Sequence, residues 1–128
     1  MKTLFTLLTI VLSLGGVQPA LAIVVENIEA FDRAVATLQP GDEIVLANGI
    51  WRDAELIFRG QGTADKPITL RAETPGKVQI VGQSNLGLSG KYLHVHGLVF
   101  KDGFTPTSEV IAFRTSKIEL ASHSQVTH

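Results

Sequence analysis

The sequence has no cysteine, and only one tryptophan, one tyrosine and one methionine among its 128 residues. A chain of this size without cysteine is not a disulfide-stapled mini-domain, so burial and backbone pairing must hold it together. Positive charge is not in excess either: 11 Lys and Arg face 12 Asp and Glu, a formal net charge of −1. Phosphate recognition needs a concentrated basic face, which argues against nucleic acid as the partner. Long apolar runs are scarce. The one from Leu4 to Leu14 follows Lys2 and is broken by Gly15-Gly16 and Pro19, well short of the roughly 20 apolar residues a bilayer requires. It reads as the core of a secretory signal over residues 1–22, removed after Ala22, since Ala20 and Ala22 are the small residues a signal peptidase selects. The mature chain would then run from Ile23 to His128. That is one small domain, secreted or periplasmic, with no stable membrane anchor after signal cleavage.

What is present is periodicity. From Asn27 to Leu38 the apolar residues Phe31, Val35 and Leu38 recur at helical spacing, flanked by Ile28 and Ala34. Asn27 is a good N-cap type and Pro40-Gly41 a stop signal, which predicts one short amphipathic helix. After Gly41 the pattern changes to short β-type runs between Gly, Pro, Asn and Asp clusters: Glu43–Ala47, Ala54–Arg59, Pro67–Glu73, Val78–Val81, Tyr92–His96, Leu98–Phe100, Val110–Arg114 and Lys117–Ala121. Four apolar–variable–apolar triplets begin at Ile44, Ile68, Leu93 and Ile118, an almost constant interval. A fixed period in the twenties marks a solenoid whose coils cover one another's apolar faces. The expected fold is all-β, a right-handed single-stranded parallel β-helix with a short N-terminal capping helix. Ile44/Leu46, Ile68/Leu70, Leu93/Val95 and Ile118/Leu120 then point inward, and Val45, Thr69, His94 and Glu119 outward. The helix covers the open first coil. At the far end His128 falls in mid-coil with no cap in sight, as in an N-terminal fragment. The rival fold is an antiparallel β-sandwich with evenly spaced strands.

The residues between the strands carry a resemblance. Gly41-Asp42-Glu43-Ile44-Val45-Leu46 with Asn48-Gly49-Ile50-Trp51 resembles the first coil of polysaccharide lyase family six, the alginate lyase and chondroitinase-B-like group. Lys66-Pro67-Ile68-Thr69-Leu70-Arg71-Ala72, Thr74-Pro75-Gly76-Lys77-Val78 and Ile80-Val81-Gly82 resemble its next coil. Leu88-Ser89-Gly90-Lys91-Tyr92-Leu93 and Val95-His96-Gly97-Leu98-Val99-Phe100 resemble the one after. The resemblance covers the chain from about Asn27 onward, with the pieces in order. It implies an exported enzyme that cleaves an acidic uronate polysaccharide by β-elimination, alginate before dermatan-type chondroitin. Abstracting the C5 proton of a uronate places a carbanion beside an ionised carboxylate, so a cation must hold that carboxylate. The resemblance implies a calcium site of Asn and Glu oxygens for this, with a Lys as base and an Arg nearby. Those residues belong to later coils. No position up to His128 matches that motif, so no catalytic, cofactor-binding or metal residue is carried over. The fragment alone is expected to be inactive.

Other chemistry-bearing residues each have a plainer explanation. His94 and His96 form a His-x-His on one face of a strand, suited to two metal ligands or a proton-transfer pair, but no third ligand accompanies them and surface or hydrogen-bonded histidines are favoured. His123 and His128 have no assigned place. Trp51 could stack on a sugar ring; packing between the first coil and the helix is favoured. Arg71, expected beside His96, and Lys101 could attract an acidic glycan or serve solubility alone. Glu73 and Glu119 are candidate acid/base carboxylates with no pairing distance to support them. Pro75-Gly76 reads as a type II turn, and Gly60, Gly62, Gly82, Gly90, Gly97 and Gly103 as punctuation between strands. Gly60-Gln61-Gly62 lacks the Gly-Lys-Ser/Thr of a phosphate loop. A non-catalytic secreted β-helix, an adhesin or glycan-binding module, is the alternative function.

Overall fold

A computed structural model describes residues 19–128; the apolar run from Leu4 to Leu14, and with it most of the signal assignment, lies outside the described residues. The first element is β1 (Ala22–Val25), so the expected cleavage point after Ala22 falls at its first residue. Next comes α1 (Ile28–Val35), capped as the sequence predicts: the Asn27 side chain accepts from the Ala30 amide at 2.8 Å. The helix ends at Val35 instead of running to Leu38. Thr37 N–H bonds to the Ala34 carbonyl at 3.1 Å, the tighter spacing that closes a helix. Phe31 and Ala34 are buried on the face that closes the core. Replacing Asn27 by Ala removes the cap acceptor and is expected to cost about 1 kcal/mol in urea unfolding; an unchanged midpoint would mean the cap contributes nothing.

The remaining strands are β2 (Glu43–Leu46), β3 (Gly49–Arg52), β4 (Glu55–Gln61), β5 (Ile68–Ala72), β6 (Val78–Gln83), β7 (Asn85–Lys91), β8 (Leu93–His96), β9 (Leu98–Phe104), β10 (Ile111–Ala112), β11 (Ala121–Ser122) and β12 (Gln125–Thr127). They wind into three parallel sheets. The first stacks β1-β2-β5-β8-β12, the second β3-β6-β9, and in the third β4, β10 and β11 all pair with β7. Each strand pairs with its equivalent one coil on, which is a parallel β-helix. An antiparallel sandwich is ruled out, since the antiparallel pairing among the described residues is an isolated bridge between Arg114 and Leu120.

Inward side chains form continuous ladders. In the first sheet Ile44, Leu70 and Val95 stack in register; in the third Leu56 lies under Leu86; in the second Trp51 lies under Ile80. All of these are buried. Burial fades up the stack, so that Ile111, above Leu86, is 37% exposed.

The register departs from the expected repeat at two places. Ile44 faces Leu70 and not Ile68, so the pairing runs two positions further along than the triplets imply. A slip of two preserves which face each side chain takes, and the inward assignments survive. Val45 faces outward as expected yet is buried, between Val24 and Arg71 on the adjoining strands. The second departure is larger. The run Lys117–Ala121 is not the fourth strand of the first sheet: that strand is β12, whose Gln125 pairs with His94. In the third sheet Leu86 pairs with Ile111, whereas Gly90, four positions after Leu86, pairs with Ala121, ten positions after Ile111. Six extra residues are therefore inserted between β10 and β11, and Ile118, expected inward, sits in that excursion 90% exposed with Leu120 at 59%. Gly60, Gly82, Gly90 and Gly103 likewise lie within strands and not between them.

Corner chemistry follows the sequence more closely. Lys77 N–H bonds to the Thr74 carbonyl at 2.9 Å across Pro75-Gly76, with Gly76 at φ +84°, as a type II turn demands.

Candidate functional site

The outer face of the first sheet is the place where polar side chains gather in register. Glu43, Thr69, His94 and Gln125 form one outward row across β2, β5, β8 and β12, and Val45, Arg71, His96 and Thr127 the next. His94 and His96 share this face because they are two apart on one strand, and Arg71 stands directly opposite His96. The Arg71 guanidinium is engaged: its Nε lies 3.0 Å from Glu43 Oε2, and Nη1 donates to the Ala72 carbonyl at 3.1 Å. What remains is a strip of imidazoles, hydroxyls and an amide beside a neutralised ion pair. Such a strip can hydrogen-bond a polar polymer laid along the stack. It contains no pair of carboxylates poised for acid/base catalysis.

The other candidates are dispersed. Trp51 is buried in the core with its indole Nε1 donating to the Ala47 carbonyl at 3.0 Å, so its ring is not offered to a sugar. Lys101 lies on β9, 3.5 Å from Asp102. Glu73 follows β5, and its Oε1 accepts from the Asn48 amide at 3.0 Å. Glu119 sits in the inserted excursion, 3.6 Å from Arg59. The two carboxylates occupy different corners and different partnerships. His123 stacks on Tyr92 with ring centroids 4.7 Å apart and planes at 17°; His128 follows β12. Glu109, not singled out in the sequence, has its carboxyl held below the ordinary range by the Ser108 hydroxyl and by Arg114. Among the described residues no three His, Asp or Glu side chains come close enough together to hold a metal ion.

The profile of the chondroitinase B family matches residues 25–128. The chain belongs to that family. Among solved structures, the family-six alginate lyase AlyGC is 59% identical over 83% of this chain, with a TM-score of 0.81. A mannuronic-acid-specific family-six lyase from the human gut microbiota is 32% identical over 84%, TM-score 0.77. A family-six polysaccharide lyase from Pseudopedobacter saltans is 32% identical over 82%, TM-score 0.72. This chain spans 15%, 25% and 24% of those proteins respectively. No curated protein sequence matches it.

In this family-six chain two polar residues of the motifs that carried the resemblance, Asp42 and Asn48, are corner devices, while most of the other residues of those motifs form strands. Asp42 is buried, and its two oxygens accept from the Leu21 amide at 3.0 Å and the Gln39 amide at 2.9 Å, fixing how the chain enters β2. Asn48 clasps the next coil: its Oδ1 accepts from Thr74 N–H and its Nδ2 donates to Thr74 Oγ1, both at 3.0 Å. Asn48 and Thr74 are separated by the same interval as the paired residues Ile44 of β2 and Leu70 of β5, so the clasp holds the two coils in their strand register. The calcium implied by family resemblance needs a converging set of Asn and Glu oxygens, and the corner residues, committed to backbone, do not supply one.

Proposed function

We propose that the protein carrying this chain is a secreted or periplasmic polysaccharide lyase acting on an acidic uronate polysaccharide, alginate first, and that this chain supplies its N-terminal cap and first coils. The observation that carries the reading is the 59% identity to an alginate lyase over 83% of the chain. In β-elimination a base takes the C5 proton, the C4–oxygen bond to the leaving sugar breaks, and a C4–C5 double bond forms. A cation, calcium by family resemblance, would hold the adjacent carboxylate, and the groups for both tasks belong to coils past His128. The outer strip of the first sheet, with Thr69, His94, His96 and Thr127, extends the surface along which a polymer could lie. The comparisons give the adhesin alternative no support.

The test is to mix the full-length protein with alginate and follow the ultraviolet absorbance of the unsaturated uronate. The signal should appear with full-length protein and be absent with residues 23–128 alone. No signal from the full-length protein on alginate or dermatan-type chondroitin would defeat the lyase reading, and a signal from the fragment would defeat the assignment of the chemistry to later coils.

A further inference from the structure

The insertion between β10 and β11 builds something. With the loop that precedes β10 it walls a groove of about 310 Å³ on the outer face of the third sheet. The floor is the outward row Ile57–Gly87–Ala112 across β4, β7 and β10, and Gly87, lacking a side chain, lets the Arg114 carbonyl and the Thr115 methyl close over it, 3.2 and 3.5 Å from where a Cβ would lie. The walls carry Thr107 and Glu109 on one side and Arg114, Thr115 and Lys117 on the other. Asn85, 7% exposed, closes one end.

Asn85 is the informative residue. Its Nδ2 donates to Thr107 Oγ1 at 3.2 Å, and Thr107 in turn gives its single proton to the Glu109 carbonyl at 2.9 Å. With its proton on that carbonyl, which also accepts from Thr105 Oγ1 at 2.9 Å, Thr107 presents a lone pair to Asn85, and the amide turns Nδ2 toward it. Asn85 Oδ1 is consequently a buried acceptor with no partner, the one such side-chain atom among the described residues. Buried acceptors are normally satisfied, so an orphan lining a groove calls for a donor from outside.

We propose that this groove is a second saccharide site that takes one uronate residue of an acidic glycan, its hydroxyl donating to Asn85 Oδ1 and its carboxylate facing Lys117. The site rests on the acidic-polysaccharide reading of the function but lies on a different sheet from the outer strip. A cation is disfavoured. Both oxygens of Glu109 are occupied, Oε1 by Arg114 Nη2 and Oε2 by the Ser108 hydroxyl, each at 2.7 Å, and the remaining charges on the walls are positive. Lys117 is exposed and makes no ion pair among the described residues, so it is free to meet an anion. The apolar side chains of Ile57 and Ala112 suit the C–H face of a pyranose ring, and the site fits the usual pattern of an apolar pocket with a few polar groups fixing orientation.

The test is hydrogen–deuterium exchange on the full-length protein with a mannuronate trisaccharide, product formation being followed in the same sample, and a neutral glucan trisaccharide as the control. Amide exchange across residues 105–117 should slow with the mannuronate ligand and not with the neutral one. Lys117→Glu, at an exposed position, should leave the melting temperature unchanged and weaken that protection at least about tenfold, the loss of one charge-assisted hydrogen bond. Cleavage without protection of 105–117 overturns the second site and leaves the lyase reading intact. Protection with no product from the trisaccharide, from alginate or from dermatan-type chondroitin keeps the site and removes the lyase reading; neither protection nor any product overturns both. Equal protection by the neutral sugar overturns the assignment of the carboxylate to Lys117.

Discussion

Gly90→Ala should destabilise the fold by about 2–5 kcal/mol or more, whereas Gly49→Ala should cost about 1–2 kcal/mol. Both glycines have a positive φ, +119° at Gly90 and +132° at Gly49. A side chain in that region costs about 1–2 kcal/mol at either site. The difference lies in what the new methyl group would meet. At Gly49 there is nothing within 4 Å, whereas at Gly90 a Cβ would overlap the carbonyl oxygen of Gly60 on the coil below. Gly60 is backbone in a paired strand, held opposite Gly90 by the β4–β7 register, and cannot swing aside as a flexible side chain could. Overpacking of this kind adds about 1–3 kcal/mol or more to the backbone strain. A small domain is stable by only about 5–15 kcal/mol, so the sum at Gly90, about 2–5 kcal/mol or more, takes a large share of its margin. Soluble yield and the urea midpoint of the two variants, side by side, measure this. Equal behaviour would show that β4 and β7 do not approach closely at Gly60 and Gly90.

Phe58→Ala is expected to destabilise by about 3–5 kcal/mol, the usual cost of emptying a fully buried aromatic site. Phe58 has no exposed surface and points inward from β4 beneath Leu88 of β7. Its neighbours on both sides belong to sheets whose strands are pinned by parallel pairing, so the space left behind cannot collapse easily. Phe104 provides the contrast, being 67% exposed on β9, and Phe104→Ala should shift the midpoint by less than about 0.5 kcal/mol. A Phe58→Ala loss as small as that of Phe104→Ala would place Phe58 outside the core and break the inward ladder of the third sheet.

Much of this fold was legible because solenoid coils repeat their apolar pairs. Ile44, Leu46, Ile68, Leu70, Leu93 and Val95 all face inward as their alternation implies, even where the register slips by two. Among the strands that escaped notice, β1 and β3, with Ile23-Val24-Val25 and Ile50-Trp51, have strand-forming residues but are only four residues long, whereas β7 has residues that do not look like a strand. In β7, Asn85-Leu86-Gly87-Leu88-Ser89-Gly90-Lys91, two glycines are needed for close stacking and flatness, so β propensity is low although every residue pairs with β4. Ile118-Glu119-Leu120 fails in the opposite way. It has the strand pattern at the right interval, but the inserted residues upstream shift the partner of His94 to Gln125, six positions past Glu119, where the simple period places it. A pattern of period two carries no information about insertions between turns. The outer strip was partly visible, since His94, His96 and Arg71 were all assigned to the outward face. The groove on the third sheet was not, because Asn85, Thr107 and Lys117 are scattered polar residues until the excursion brings their segments together.

The most direct measurement is the coding sequence past the codon for His128. Further coils carrying an Asn/Glu cluster and a Lys/Arg pair are expected there, which would make this chain the cap and opening coils of a family-six lyase. A stop codon directly after His128 would contradict that, leaving a product with this chain's corners and polar strip but without the groups that perform β-elimination.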